Sequence, residues 1–401
     1  MSAAAQPVER ASRRHLLALA MVVLVGAALR VAWNDVTEYS RADETVYLQY
    51  ARTVSANPGA YRAVVRGYIA DPNSWVFPLP SRFAGVAITS AACVVAPCSY
   101  RTLAWVETLA GIATIVITYL LGRSLFGRRT AVLAAGLTAT SPIQLAMGRR
   151  ALEDELFLLT ILLALLATVR IAQAKIVTRR SLILGIGAFT LALATKETFL
   201  LYYPALAAAL LILRRTGLRP GDALLFVGPV LLFAALFGVL SGDPRSLITL
   251  AGIQQAGRNM SYIQQFQSGP PWEPFLDIYI LAPLVGVAAL ISTGIVLTSN
   301  GDRRPFAAIG AYVGLLFAAY VFIPKDARYF MPADAGMRML AAWGVVSGAS
   351  LVRLIAPLLI GAAGIANAVV ELLIFDAVFL RGNVYDPVLA NLLRALDAIP
   401  R

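Results

Sequence analysis

Acidic and basic side chains occur in this chain at a few places where they could act together. Asp43 and Glu44 stand in Ser40-Arg41-Ala42-Asp43-Glu44-Thr45-Val46-Tyr47. A carboxylate near a membrane boundary can take the proton from an attacking hydroxyl, so Asp43 is a candidate general base. The same string is also a capping box, with Ser40 capping a short helix and Asp43 in its first turn. Farther on, Arg149 and Glu153, and Arg150 and Asp154, are four residues apart. They read either as surface charge pairs with acids at a helix start or as a place where Asp154 acts as a second acid or ligates a divalent ion. Lys325-Asp326-Ala327-Arg328-Tyr329-Phe330-Met331-Pro332 follows an apolar run. Its cations either complement a helix C-terminus or, with Tyr329, bind a phosphate, for which the planar guanidinium of Arg328 is suited. Lys196 and Arg258 are further candidate phosphate contacts.

The elements that must position these groups are apolar. Of 401 residues, 59% are hydrophobic and 14% charged, against about a quarter charged in a soluble domain. The apolar residues fall into runs of the length that crosses about 30 Å of hydrocarbon as a helix, each satisfying its own backbone hydrogen bonds. The expected spans are His15–Trp33, Thr102–Leu121, Ala131–Met147, Leu156–Val169, Leu182–Thr195, Phe199–Leu213, Ala223–Leu240, Phe275–Leu297, Phe306–Ile323, Met337–Leu351 and Leu354–Phe375. The chain is therefore expected to be an all-α polytopic membrane protein with about 11 transmembrane helices. Residues 1–14 are expected in the cytoplasm, 15–375 as the transmembrane unit and 376–401 as an outer tail. The outer loops are 34–101 and 241–273. Ser81–Pro97 is moderately apolar, but a crossing there would turn every later basic loop outward, so it is expected to lie in the outer interface. Ser12-Arg13-Arg14 before the first run is read as the start of an uncleaved helix rather than an export signal.

The net charge of +12 does not indicate nucleic acid, because the basic residues sit in alternate loops: Arg13 and Arg14, Arg123 to Arg129, Arg170 to Arg180, Arg214 to Arg219, then Arg303, Arg304 and Arg353. That distribution marks the cytoplasmic side. With His15 the single histidine, a histidine-built metal site is excluded. Cys93 and Cys98, expected outside, are either a disulfide or two lipid-shielded thiols. Charges in the middle of helices look scarce, Glu107 and Arg338 being the main ones and both near ends.

An ordered set of short motifs carries a family resemblance. Asp43-Glu44-Thr45-x-Tyr47 follows the first helix, and Leu121-Gly122-Arg123-x-Leu125-Phe126-Gly127-Arg128-Arg129 joins two helices. Then come Ser141-Pro142, Arg150 to Asp154, Thr195-Lys196-Glu197 and the Lys325–Pro332 turn. Over about Arg13 to Gly344 this resembles the GT-C membrane glycosyltransferases, particularly the branch with the protein O-mannosyltransferases and the lipid A aminoarabinose transferase. The resemblance implies inverting transfer of a sugar from a polyprenyl-phosphate donor to a lipid, glycan or protein acceptor on the outer, extracytoplasmic face of the cell membrane. It implies Asp43 as general base with Glu44 beside it, Asp154 as the second-loop acid, and Arg258, Lys325, Arg328 and Tyr329 as donor or phosphate contacts. It also implies interfacial helices at Tyr61–Tyr68 and Ser81–Pro97. Where the aminoarabinose transferase has a phosphate-binding lysine near the Trp75–Pro80 region, Arg82 is here the nearest cation. The histidine-containing metal site of that enzyme has no counterpart, and no segment corresponds to the luminal domain of the O-mannosyltransferases.

No cofactor is implied with certainty, although a divalent cation at Asp154 is compatible with the residues. A transporter or flippase of a lipid-linked sugar would share the basic inner loops, but is expected to show internal repeats or broken helices, which the sequence does not display. A scaffold or sensor on the same fold is the other alternative, against which Asp43, Asp154 and the Lys325–Tyr329 turn weigh.

Overall fold

The computed structural model describes residues 13–33, 42–72, 75, 77–214, 217, 219–258, 260–299, 301–352, 354–384 and 386–398. Among them, regular secondary structure is helical throughout. In chain order the helices are α1 (Arg13–Ala32), α2 (Ala42–Ala56), α3 (Ala60–Ala70), α4 (Phe83–Val95), α5 (Tyr100–Phe126), α6 (Arg128–Ala139), α7 (Pro142–Met147), α8 (Asp154–Gln173), α9 (Arg179–Thr195) and α10 (Tyr203–Leu213). They continue with α11 (Pro220–Ser241), α12 (Ser246–Arg258), α13 (Ser261–Phe266), α14 (Glu273–Leu281), α15 (Pro283–Thr298), α16 (Arg304–Tyr320), α17 (Met331–Ala349), α18 (Ala356–Phe375) and α19 (Leu389–Ala395).

The apolar helices make this a multi-pass membrane protein. Arg13–Ala32, Tyr100–Phe126, Asp154–Gln173, Pro220–Ser241 and Ala356–Arg381 are each long and apolar enough to cross a bilayer, while Phe83–Val95, Glu197–Leu213 and Arg304–Tyr320 are shorter apolar helices. The crossings expected from hydropathy are thus not all carried by single long helices. α4 rises only about 20 Å at 1.5 Å per residue, short of about 30 Å. α8 is the best-enclosed long helix, packed by α5, α9 and α10. α1, by contrast, buries only Gly26 and Arg30. Gly127, at φ +90°, turns the chain between α5 and α6, and at Gly122 a Cβ would stand 2.9 Å from the Ala131 Cα, so only glycine lets the two helices close. Phe189, Phe199, Tyr203 and Phe226 meet edge-on at centroid distances of 5.4–5.7 Å and lock α9, α10 and α11 together.

Several expected spans are redrawn. Ala131–Met147 is broken between α6 and α7 at Ser141-Pro142, where proline fits the first turn of a new helix and not the middle of an old one. Phe275–Leu297 is likewise two helices, α14 and α15, bent by 113° with Pro283 starting the second. The chain therefore does contain broken apolar helices, contrary to the expectation used against a transporter. The 241–273 loop holds α12 and α13. The tail holds α19, and the carbonyl of Pro387 accepts from the Ala327 amide at 3.0 Å. Cys93 and Cys98 form a disulfide. The expected Ser40 cap lies outside the described residues; α2 starts at Ala42, with Asp43 and Glu44 in its first turn.

The expectation of few mid-helix charges also fails. α17 starts at Met331, because Pro332 serves as an early helical residue, so Asp334 and Arg338 both lie inside it. Arg338 is fully buried, 2.8 Å from Asp334 and 2.8 Å from Glu371 of α18. Ser141 donates to Asp334 at 3.0 Å and Thr140 to Glu371 at 2.8 Å, and Arg338 donates to the Leu137 carbonyl. Arg30 of α1 reaches the Ala139 carbonyl at 3.1 Å. The α6–α7 break thus becomes the point where α1, α17 and α18 are tied by buried polar bonds. Removing one partner from such a cluster strands the other charges away from water, a cost of about 3–5 kcal/mol. Arg338→Leu is accordingly expected to lose about that much stability, read as a lowered thermal transition in detergent; a transition unchanged from wild type contradicts the assignment.

Candidate active site

The charged residues singled out in the sequence converge at one end of the bundle. α2 turns its two first-turn acids to different sides, since neighbouring helical positions diverge by about 100°. Glu44 is fully buried and pairs with Arg150 at 3.3 Å. Asp43 stays 37% exposed and faces Arg328, its Oδ2 3.7 Å from Nη1. Arg328 is carried on a short 3-10 turn, Ala327–Phe330, opened by Asp326, whose side chain accepts from the Arg328 amide at 3.0 Å and pairs with its guanidinium at 2.9 Å.

Lys196 ends α9 and meets Asp154, the first residue of α8, at 2.9 Å. Its ammonium lies 5.0 Å from the Tyr329 ring centre and 5.4 Å from that of Phe157, and Arg328 lies 5.2 Å from the Tyr329 ring, distances at which aromatic faces attract cations. Asp154 owes its place to α5. Glu107, fully buried there, accepts from the Glu155 and Leu156 amides at 2.8 and 3.1 Å and so caps α8 from a neighbouring helix. Arg150 precedes α8, and its bond to Glu44 ties this turn to α2.

Arg82, at the start of α4, pairs with Glu197 at 3.1 Å and donates to the Tyr47 hydroxyl. Glu197 also accepts from Gln254 of α12 at 2.6 Å. A cavity of 140 Å³ opens among these groups. Arg82, Asp154, Lys196, Glu197, Arg328 and Tyr329 line it together with Phe157, Leu201, Leu316 and other apolar residues. A larger cavity of 620 Å³ lies by α19 and touches none of these charged groups.

Lys325 is not among the residues that line the 140 Å³ cavity. Lys325 turns back and donates to the carbonyls of Tyr320, Val321 and Ile323 at 2.7, 3.1 and 2.9 Å, capping the end of α16 as the helix-terminus reading expects. Arg258 closes α12, and its side chain lies outside the described residues. Among the described residues no three metal-binding side chains gather to hold an ion, and Asp154, the candidate ligand, is engaged by Lys196.

Sequence reasoning passed over Glu153, Glu197, Asp326 and Tyr47 as site residues, although all stood inside the motifs. Their importance comes from burial, which adjacency in sequence does not reveal. Burial would by itself depress the Arg328 pKa, but Asp326, Tyr329, Asp154 and Asp43 around it raise it well above its ordinary value. Burial also pushes Asp326 up to about 6, against the opposing pull of Arg328. Glu153, 1% exposed and packed where any Cβ on Gly85 would collide with its carboxylate, is pushed up to about 8 by burial, with Arg82 and Lys196 opposing.

Residues 85–240 match the family model for dolichyl-phosphate-mannose-protein mannosyltransferase. That stretch holds Asp154 and Lys196 but neither Asp43 nor Arg328. In fold, the chain is similar to ArnT from Cupriavidus metallidurans in its complex with undecaprenyl phosphate, with a TM-score of 0.54 at 15% identity over 96% of this chain and 75% of that one. It is also similar to the oligosaccharyltransferase of Archaeoglobus fulgidus tethered to an acceptor peptide, TM-score 0.57 at 16% identity over 89% of this chain and 54% of that one. The same organism's AglB, in complex with an inhibitory peptide and a dolichol-phosphate, gives 0.54 at 16% identity over 94% and 58%. The chain spans little more than half the length of the oligosaccharyltransferase chains. No curated protein matches in sequence. The fold is that of the GT-C membrane glycosyltransferases, as the motifs imply.

The raised Glu153 pKa has a defined effect on stability. Between the ordinary glutamate pKa of about 4.5 and about 8, the folded chain holds a proton that the unfolded chain releases, so stability falls as pH rises through that window. Glu153→Gln, which stays neutral, is expected to gain stability over wild type at pH 8 and much less at pH 5, measured by thermal unfolding at both. An advantage independent of pH contradicts the buried neutral acid.

Proposed function

We propose that this protein is an integral membrane glycosyltransferase that moves a sugar from a polyprenyl-phosphate donor to an acceptor at the outer face of the membrane. The observation that carries the reading is the meeting of a partly exposed carboxylate, Asp43, with the buried cation Arg328 at 3.7 Å, beside an apolar-walled cavity that also holds Lys196. The match to a mannosyltransferase family model and the likeness in fold to proteins solved with undecaprenyl phosphate or dolichol-phosphate support it.

The chemistry follows from the charges. A donor with a long isoprenoid tail keeps that tail in the bilayer, so its glycosyl phosphate must be met at the boundary. Asp43 removes the proton from the acceptor hydroxyl, whose oxygen attacks the anomeric carbon from the side opposite the phosphate, and the configuration inverts. The C–O bond to phosphate breaks, and the leaving group develops charge. Arg328 and Lys196, fixed by Asp326, Asp154 and the Tyr329 face, are suited to stabilise that charge more in the transition state than in the ground state. Arg82 and Tyr329 are retained as donor contacts because both line the cavity. Glu44 positions α2 through Arg150, and Asp154 positions Lys196. A lipid, glycan or protein hydroxyl is the acceptor class.

The bent pair α14–α15 is a feature that a flippase of a lipid-linked sugar would share. Turnover separates the two readings, because only the transferase releases polyprenyl phosphate.

Asp43→Asn is expected to lower transfer about 10²–10⁴-fold while polyprenyl phosphate still binds, and Arg328→Ala to weaken that binding. Near-normal transfer by the first variant, measured with a radiolabelled lipid-linked sugar in proteoliposomes, removes Asp43 as base. Outer-face orientation has its own check: after reduction, the Cys93–Cys98 thiols should react with a membrane-impermeant maleimide added outside intact cells. Labelling only in inverted vesicles would reverse the topology.

A further inference from the structure

At the end of the bundle away from Asp43 lies a second feature. α1, α6 and α18 leave between them a lateral groove of 580 Å³ whose walls are nearly all apolar. It is wide because small residues face it. A Cβ placed on Gly136 or Gly361 would meet nothing within 4 Å, and one on Gly364 only Leu133 at 3.4 Å. From Pro357 to Ala368, both on the groove, α18 advances about 16 Å at 1.5 Å per residue, close to half of a hydrocarbon core of about 30 Å. The groove is therefore about one leaflet deep.

Its polar groups gather at one end. His15 and Arg129 line it there, with Arg13 and Arg14 just before His15 and Arg128 beside Arg129. Arg129 is exposed and makes no ion pair among the described residues, and the His15 Nδ1 is buried without a hydrogen-bond partner. Several buried cations elsewhere are matched by carboxylates, as Lys196 is by Asp154 and Arg214 by Asp222; here His15 and Arg129 stand at the mouth of an apolar slot with no acid lining it. The missing counter-charge is of the kind a lipid phosphate supplies, since basic pockets between membrane helices on the cytoplasmic side suit anionic head groups.

We propose that this groove binds one anionic phospholipid of the leaflet on the side of the basic loops, with an acyl chain lying along Gly136, Gly361 and Gly364 and the phosphate at His15 and Arg129. The site is separate from the Asp43 cluster and does not rest on the transferase reading.

The test is native mass spectrometry of the full chain in detergent, titrated with phosphatidylglycerol or phosphatidylcholine of the same acyl composition. Wild type is expected to retain one phosphatidylglycerol with a preference over phosphatidylcholine of roughly fivefold to tenfold. The His15→Gln/Arg129→Gln double variant is expected to lose the preference. Gly361→Leu, and Gly136→Leu as an independent variant, should abolish retention of both lipids by filling the groove, and since a Cβ at either position enters open space, each is expected to keep a thermal transition near that of wild type. Equal retention of the two lipids by wild type overturns the phosphate site. Undiminished phosphatidylglycerol retention by both leucine variants overturns the groove.

Discussion

Charges withdrawn from water need counter-charges brought by other parts of the chain, and in this protein those pairings decide which helices meet. Lys196 cannot be buried without Asp154, Arg82 without Glu197, Arg150 without Glu44, or Arg338 without Asp334 and Glu371. Each partner comes from a different helix or turn, except the Asp334–Arg338 pair within α17. The penalty for an unmatched charge in low dielectric is several kcal/mol, larger than most apolar contacts, so the pairings fix register between helices that hydrophobic packing alone would let slide. Apolar matching between helices is weak in a bilayer, where lipid is as apolar as leucine.

The candidate site inherits its geometry from this requirement. Glu107 on α5 sets the start of α8, α8 presents Asp154, and Asp154 holds Lys196 beside Tyr329. Asp326 does the same for Arg328. The result is a pair of immobilised cations next to a carboxylate, Asp43, that keeps contact with solvent. A site arranged in this way is rigid before any ligand arrives, which is the condition under which fixed charges contribute most to a reaction that moves charge.

The two ends of the bundle treat cations differently. At the Asp43 end nearly every buried cation has an acid beside it, and the surplus falls on the acids, as the raised values of Glu153 and Asp326 record. At the other end Arg214 is buried against Asp222 while Arg129 is exposed and makes no ion pair among the described residues, and a basic surface of this kind suits an anionic membrane. The same residue type therefore builds a preorganised site on one side and a membrane-facing charge belt on the other.

Much of this was legible in the residue order. The apolar runs dictated helices in a membrane, the loop arginines suggested which way they point, and the motifs from Asp43 to Pro332 named the segments that converge. These features are local: hydropathy, charge and spacing act over one turn or one span. What the sequence left open depended on who faces whom. The pairing of Lys325 with the carbonyls that end α16, the breaks at Pro142 and Pro283, the depth of Arg338 and Glu371, and the closure of Cys93 on Cys98 all hinge on neighbours far along the chain or on the path of a turn. Tertiary structure decided them because the cost of burying a charge or a backbone donor depends on the groups around it in space, and those groups are set only when the helices have packed.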